Sequence, residues 1–133
     1  MKLSVTYKEI ENKVKEVAKI SLSLSKVNEK TLNVKYSSGM MLLPNIEISL
    51  IIKAIYSNKI ELTYNCKPLM EIAVEKLLPK LISNLPKGVV EIENKTIKVD
   101  LEKIEQAEKV LKFLSLSDIV INDEIIDIFG ELE

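Results

Sequence analysis

Pro68–Leu85 reads PLMEIAVEKLLPKLISNL, and this stretch decides which fold the sequence predicts. Its apolar residues recur at steps of three and four, which is typical of one face of a helix. At about 100° per residue they cover roughly half of the circumference, a wider stripe than that of an ordinary surface helix. The apolar positions are Leu69, Met70, Ala73, Val74, Leu77, Leu78, Leu81, Ile82 and Leu85. Such a helix needs a concave partner, and a curved sheet is the natural candidate.

Most of the remaining chain predicts strands joined in hairpins. Ile46–Tyr56 has the strongest strand pattern, and simple alternation places Ala54 and Tyr56 on the same face as Ile52, with Ile55 on the opposite face. Turn residues separate four pairs of such segments. The predicted hairpins are Ala18–Val27 with Thr31–Tyr36, Ile46–Tyr56 with Lys59–Tyr64, Val89–Glu93 with Thr96–Leu101, and Ser117–Asn122 with Ile125–Phe129.

Two further helices are predicted beside these hairpins. Thr6 and Glu9 have the spacing of a capping box, in which the Thr hydroxyl and the Glu carboxylate each satisfy a backbone amide at the start of a helix. Val5 and Ile10 lie at the positions of a hydrophobic staple around the same helix start. Apolar residues at helical spacing predict another helix over Leu101–Leu114.

Strands that are neighbours in sequence favour an antiparallel sheet, and their mixture with helices favours the α+β class. A chain of 133 residues is long enough to bury a core as one unit. We therefore predict a single domain, residues 1–133. In it a strongly curved antiparallel sheet of hairpins wraps around a long apolar helix, Leu69–Leu85, with two further helices.

Composition argues against several kinds of chemistry. The chain has no His, the side chain that titrates near neutral pH and the commonest metal ligand. It has no Arg, so the planar fork that binds phosphate or guanine is missing. Net charge is −1 and the lysines are interleaved with glutamates, which does not favour nucleic-acid binding. We predict a protein that is not an enzyme, needs no cofactor and binds no nucleic acid.

Two features were weighed as sites of chemistry. Cys66 lies between a strand and a helix, where a thiolate could be activated, but no partner is identifiable and a structural thiol is favoured. Asp118, Asp123, Glu124 and Asp127 form an acidic cluster whose spacing does not match a calcium-binding loop. Solvated strand ends and a turn explain the cluster better, so no metal site is predicted.

The sequence gives limited information on compartment. No segment reaches the roughly 18–20 uninterrupted apolar residues of a membrane-spanning helix. The opening MKLSVTYKEIENKVKE has no apolar core after its first lysine, so a signal peptide is not predicted. If Met1 is the native start, the cytoplasm is favoured, and if a leader has been removed, the envelope is favoured.

The order of elements resembles that of the bacterial members of the tubular lipid-binding (TULIP, SMP-like) superfamily, over most of the chain. The opening KLSVTYKEIENKV is similar to their strand followed by a capped helix, and the closing SDIVINDEIIDIFGEL to their final strand–turn–strand. The alternating segments Ala18–Val27 and Ile46–Tyr56 resemble their long meander, and Leu69–Leu85 resembles the helix that their sheet wraps. The resemblance implies a groove for acyl chains and no catalytic residues.

The chain also holds more apolar surface than packing one helix on a sheet requires. The leading hypothesis is non-catalytic binding of a lipid, an acyl chain or another apolar ligand, because ligand sites are mostly apolar with few polar anchors. The predicted site lies between the apolar helix and the sheet. The residues predicted to line it are Ile48, Leu50, Ile52, Leu77, Leu78, Leu81 and Ile82.

The alternative is a structural or protein-interaction module whose core is filled and holds no ligand. The cluster Met40, Met41, Leu42 and Leu43 has no regular period. It fits a loop that dips into the core, a flexible apolar lip at the mouth of a cavity, or a surface that docks a protein partner. The residues alone leave these readings open.

Overall fold

The computed structural model describes residues 1–37, 45–56, 58–104 and 111–132. Strands dominate these residues, and two helices and one short 3₁₀ turn accompany them. The elements are β1 (Lys2–Thr6), α1 (Tyr7–Ala18), β2 (Leu22–Asn28), β3 (Thr31–Ser37), β4 (Asn45–Tyr56), β5 (Lys59–Cys66), α2 (Pro68–Ile82), β6 (Val90–Glu93), β7 (Thr96–Asp100), the 3₁₀ turn (Leu101–Lys103), β8 (Leu114–Ile121) and β9 (Ile125–Leu132).

The described strands form two open antiparallel sheets. The large sheet has six strands in the order β2-β3-β4-β5-β7-β6, and the small sheet has three strands in the order β1-β9-β8. The four predicted hairpins are present as β2–β3, β4–β5, β6–β7 and β8–β9. The general prediction of an α+β chain with antiparallel pairing is therefore confirmed.

The predicted architecture, one strongly curved sheet wrapped around a long apolar helix, is wrong. The helix α2 ends at Ile82, and it leaves Leu69 81% and Ile72 66% exposed. The apolar stripe of the sequence is wider than the face that the fold buries, since the buried residues of this helix are Ala73, Val74 and Leu77. Two separate sheets replace the single wrapped one.

The small sheet exists because the two ends of the chain pair with each other. β1 lies antiparallel to β9, with Leu3 opposite Ile128 and Val5 opposite Ile126. No local pattern in the sequence reveals a pairing between residues so far apart. Of the predicted helix Leu101–Leu114, the structure shows a 3₁₀ turn at its start, and residues 105–110 lie outside the described part of the chain.

A bulge in β4 changes which residues face inward. The register of the β4–β5 pair shifts between Ile52 and Ala54, and beyond the shift Ile55 lies opposite Ile60. Ile52 lies opposite Leu62, and Ile60 lies two residues from Leu62 and so on the same face of β5. Ile55, which lies opposite Ile60, therefore shares the face of Ile52. The prediction that Ala54 and Tyr56 share that face is wrong, since simple alternation does not account for the extra residue of a bulge.

The large sheet has one apolar and one polar face, as alternation predicts for half-buried strands. Its polar face carries the cross-strand row Ser25–Asn33–Ser49–Asn65. Its apolar face meets α2 and the small sheet in a shared core. The buried residues of this core are Tyr7, Leu32, Val34, Ile46, Ile48, Tyr64, Ala73, Val74, Ile97 and Ile121.

The helix α1 begins with the predicted capping box. The amide of Glu9 donates to Oγ1 of Thr6 at 3.1 Å, and the amide of Thr6 donates to Oε1 of Glu9 at 3.2 Å. The same helix covers the edge of β2, because the amide of Leu24 donates to Oε2 of Glu11 at 3.0 Å. The helix α1 therefore protects an edge strand that would otherwise expose unpaired amides.

Candidate apolar binding groove

An apolar groove of about 340 Å³ lies between the two sheets. Strands β3, β4 and β5 form one wall, strands β1, β8 and β9 form the other, and α1 contributes one residue. Every side chain in the lining is aliphatic. The lining residues are Val5, Ile10, Leu32, Leu50, Ile52, Ile60, Leu62, Ile119, Ile121, Ile126 and Ile128.

Because side chains alternate between the two faces of a strand, the lining residues of each sheet lie on the face that borders the groove. On the large sheet, Leu50 lies opposite Leu32 across the β3–β4 pair. On the small sheet, Val5 lies opposite Ile126, which in turn lies opposite Ile121. Residues opposite each other in an antiparallel pair share a face, so each sheet presents continuous aliphatic rows to the groove.

The lining fits an apolar ligand better than water. A buried water needs two to four polar partners, and aliphatic side chains offer none. Leu32, Ile119 and Ile121 are buried, whereas the other lining residues remain partly accessible. The groove is thus a partly open aliphatic surface, the kind of site where apolar ligands bind.

Other hollows on the described surface are more polar. A depression of about 580 Å³ is lined mainly by charged side chains, among them Lys59, Asp100 and Lys103. Another, of about 430 Å³, is lined by polar residues such as Asn33 and Ser49 together with Met70. Volume alone would favour the charged depression, but the groove between the sheets is the hollow with a chemically uniform lining.

Two of the seven residues predicted to line a ligand site lie in this groove, namely Leu50 and Ile52. Ile48 points to the same face but is buried in the shared core. The four predicted residues on α2 lie outside the groove lining, with Leu77 buried and the others partly buried. These four are Leu77, Leu78, Leu81 and Ile82.

The remaining lining residues were not predicted as site residues, although some carried a signal. Val5 and Ile10 occupy the predicted staple positions, and both line the groove. Ile119, Ile121 and the residues of β9 belong to a predicted hairpin. Their shared location could not be inferred, because it depends on the pairing of β9 with β1 and not with the large sheet.

The acidic residues singled out in the sequence have separate roles near the small sheet. Oδ1 of Asp118 accepts a hydrogen bond from Nζ of Lys30 at 2.5 Å, and this bond lowers the pKa of the carboxyl. Asp127 is buried and accepts from Oγ of Ser4 and Nδ2 of Asn122, both at 2.6 Å. Within the described residues no group of three His, Cys, Asp or Glu side chains could hold a metal ion.

Tyr7 anchors α1 to the turn between β8 and β9. Its hydroxyl donates to the carbonyl of Asn122, and its amide donates to the carbonyl of Glu124 at 2.9 Å. Burial raises the pKa of the phenol, and the nearby charge of Asp123 adds to the increase. The phenol therefore stays protonated near neutral pH and acts as a structural donor.

Cys66 lies at the end of β5 and is half-buried. Burial raises the pKa of its thiol, and the carboxylate of Glu71 contributes in the same direction. A raised pKa keeps the sulfur protonated, and the thiol is a weaker nucleophile than the thiolate. The surroundings of Cys66 are those of a structural thiol.

Comparison of the chain with protein-family models, with curated proteins and with solved structures gave no match. Within the described residues, the helices are too short or too polar to cross a bilayer.

Proposed function

We propose that this protein binds a lipid or another apolar ligand, without catalysis, in the groove between its two sheets. The observation that carries the proposal is the uniform aliphatic lining around about 340 Å³. A core that serves stability alone is packed at close to crystal density, with few voids larger than a water molecule. A partly open aliphatic groove of this size is what an apolar ligand requires.

The size of the groove favours a small ligand or one segment of an alkyl chain. Its volume lies near the lower end of the range of about 300–1,000 Å³ that small-molecule sites span. Burial of each methylene contributes about 0.8 kcal/mol, so each added carbon should tighten binding about four-fold until the groove is full. A series of straight-chain alcohols or acids of increasing length would then reach a plateau.

The resemblance to the tubular lipid-binding superfamily implied the same kind of ligand, but the sheet wrapped around α2, on which it relied, is not the architecture of the described residues. That resemblance placed the ligand beside α2, whereas the groove proposed here lies between the sheets. The proposal therefore keeps the ligand class and moves the site to residues such as Leu50, Ile52 and Ile126.

The first test is native mass spectrometry of the gently purified protein, with uptake of a fluorescent fatty acid as a second measurement. A matched pair of variants, Val5→Phe and Val27→Phe, makes the same substitution at the groove and at an exposed position of β2. The phenylalanine at position 5 should occupy the groove and weaken uptake at least ten-fold. The phenylalanine at position 27 should leave uptake unchanged.

Circular dichroism should show that both variants keep the fold. A wild-type protein that carries no lipid and takes up no fluorescent fatty acid would refute the proposal. Equal loss of uptake in the two variants would also refute this location of the site, because Val27 lies outside the groove.

The second candidate is a protein-interaction module, and one observation favours it. Leu69 and Ile72 lie three residues apart on α2, so they are neighbours on its exposed face. The apolar cluster at positions 40–43, which the sequence offered for docking, lies outside the described residues. Sedimentation of the wild type and a Leu69→Asp variant would show whether the exposed face of α2 mediates self-association.

A further inference from the structure

The turn between β2 and β3 connects the two sheets at one end of the groove. The amide of Ile121 in the small sheet donates to the carbonyl of Glu29 at 2.9 Å. The amide of Ile52 in the large sheet donates to the carbonyl of Lys30 at 2.8 Å. Both donors belong to residues that line the groove, so this turn holds one strand from each of its walls.

The side chain of Lys30 strengthens the connection. Its Nζ donates to Oδ1 of Asp118 at 2.5 Å and to the carbonyl of Ile119 at 2.7 Å. The amide of Lys30 donates to Oδ1 of Asn28 at 2.9 Å, which fixes the turn itself. One residue of the large sheet's hairpin is thus bonded to a side chain and to a backbone carbonyl of β8.

The strand β8 depends on such contacts because it is an edge strand of the small sheet. The outer amides of an edge strand have no ladder partner and must find other acceptors. Near one end of β8 the amide of Leu116 donates to Oδ1 of Asn58 at 2.9 Å. At the other end the amide of Ile121 is held by the turn that contains Lys30. The two ends are therefore held by two different turns.

We infer that Lys30 is a latch that fixes the separation of the two sheets at the β2–β3 end of the groove, and that its release widens the groove for ligand entry. The widening of the groove for ligand entry rests on the proposed function, whereas the fixed separation of the sheets does not. An isolated exposed ion pair contributes little to stability, and the side chains of Lys30 and Asp118 are 41% and 50% exposed. The ammonium, however, also bonds the carbonyl of Ile119, a residue of the groove wall.

The contact between Lys30 and β8 needs only modest strength for this role. The contact must hold the wall in place for most of the time and still open without unfolding the domain. Openings of this kind are local fluctuations that amide hydrogen exchange can resolve. Exchange of the Ile121 amide therefore reports opening at the end of β8 that the Lys30 turn holds. Exchange of the Leu116 amide reports opening at the end of β8 that Asn58 holds.

The test is amide hydrogen exchange, followed by NMR, on the full chain without ligand. Lys30→Met removes the ammonium and keeps most of the aliphatic stem, while Lys35→Met removes a lysine from the polar face of the same hairpin as a control. Loss of the charged hydrogen bonds should accelerate exchange of the Ile121 amide about five- to ten-fold. Exchange of the Leu116 amide should be unchanged.

Asp118→Asn weakens the contact from the other side and should give a smaller acceleration at the same Ile121 amide. In a stopped-flow experiment with a fluorescent fatty acid, Lys30→Met should raise the association and dissociation rates together. Exchange at Ile121 that matches the Lys35→Met control would overturn the inference.

Equal acceleration at Ile121 and Leu116 would also overturn the inference, because it would indicate global destabilisation. If the wild type binds no fatty acid, the proposed function fails. A selective acceleration at Ile121 would still support the role of Lys30 in holding the sheets.

Discussion

Leu69 and Leu77 lie two turns apart on α2 but in opposite environments. Leu77 is 8% exposed, whereas Leu69 is 81% exposed. The same substitution, leucine to alanine, can therefore be made at a buried and at an exposed position of one helix. Helix propensity changes little between the two residue types, so the difference between the two variants measures burial.

The expected magnitudes follow from these exposures. Full burial of a leucine side chain is worth about 1.5–3 kcal/mol, and the cavity left by its truncation brings the total cost of Leu77→Ala to about 2–5 kcal/mol. Leu69 buries only about one fifth of its surface, so Leu69→Ala should lose about 0.3–0.6 kcal/mol. The two variants should thus differ by at least about 1.4 kcal/mol.

Urea unfolding monitored by circular dichroism gives the free energy of unfolding of each variant, with the slope of the transition as a check on cooperativity. The wild type and both variants should show the same slope. Equal destabilisation by the two substitutions would refute the orientation of α2 described above. A larger effect of Leu69→Ala would show that this helix buries the side that carries Leu69.

Two further predictions concern the contacts that join the sheets. The hydrogen bond from Lys30 lowers the pKa of Asp118 from its ordinary value. The pair therefore stabilises the fold at pH values above the pKa of the unfolded carboxyl, and the contribution is lost as pH falls through the folded pKa. Asp118→Asn should therefore be less stable by about 0.2–1 kcal/mol at pH 7, and urea unfolding in acid should show the difference disappear; an undiminished difference would contradict this cause. Asn58 is buried, has a φ of 60° and accepts from the Leu116 amide, so Asn58→Ala should cost about 2–4 kcal/mol through the lost acceptor and the left-handed backbone. Asn58→Gly tolerates that backbone and should cost less in the same unfolding assay, and equal costs would contradict the backbone contribution.

The local features of this fold could be predicted because each depends on a few neighbouring residues. The capping box needs only Thr6 and Glu9, and the turn of the β6–β7 hairpin needs only Asn94 and Lys95, which both adopt positive φ. A two-residue turn of that geometry matches the twist of a hairpin. Alternation then identified the strands, because it reports burial on one face.

The arrangement of the strands could not be predicted in the same way. The pairing of Leu3 with Ile128 joins the two ends of the chain, and nothing in either segment specifies the other. The bulge after Ile52 has no sequence signature in this strand, yet it decides that Ile55 and not Ala54 faces inward. A wide apolar stripe on α2 similarly fails to show which of its sides is covered.

The groove poses a further difficulty, because its lining residues have the same sequence pattern as core residues. Ile48 and Leu50 are two residues apart on one face of β4, but Ile48 is buried in the core and Leu50 lines the groove. Leu50 shares the groove lining with residues of the small sheet, whose strand β8 is bonded near its two ends to the turns that contain Lys30 and Asn58. On the inference drawn above, polar residues outside the lining set the width of the groove, which the aliphatic pattern of the strands does not encode.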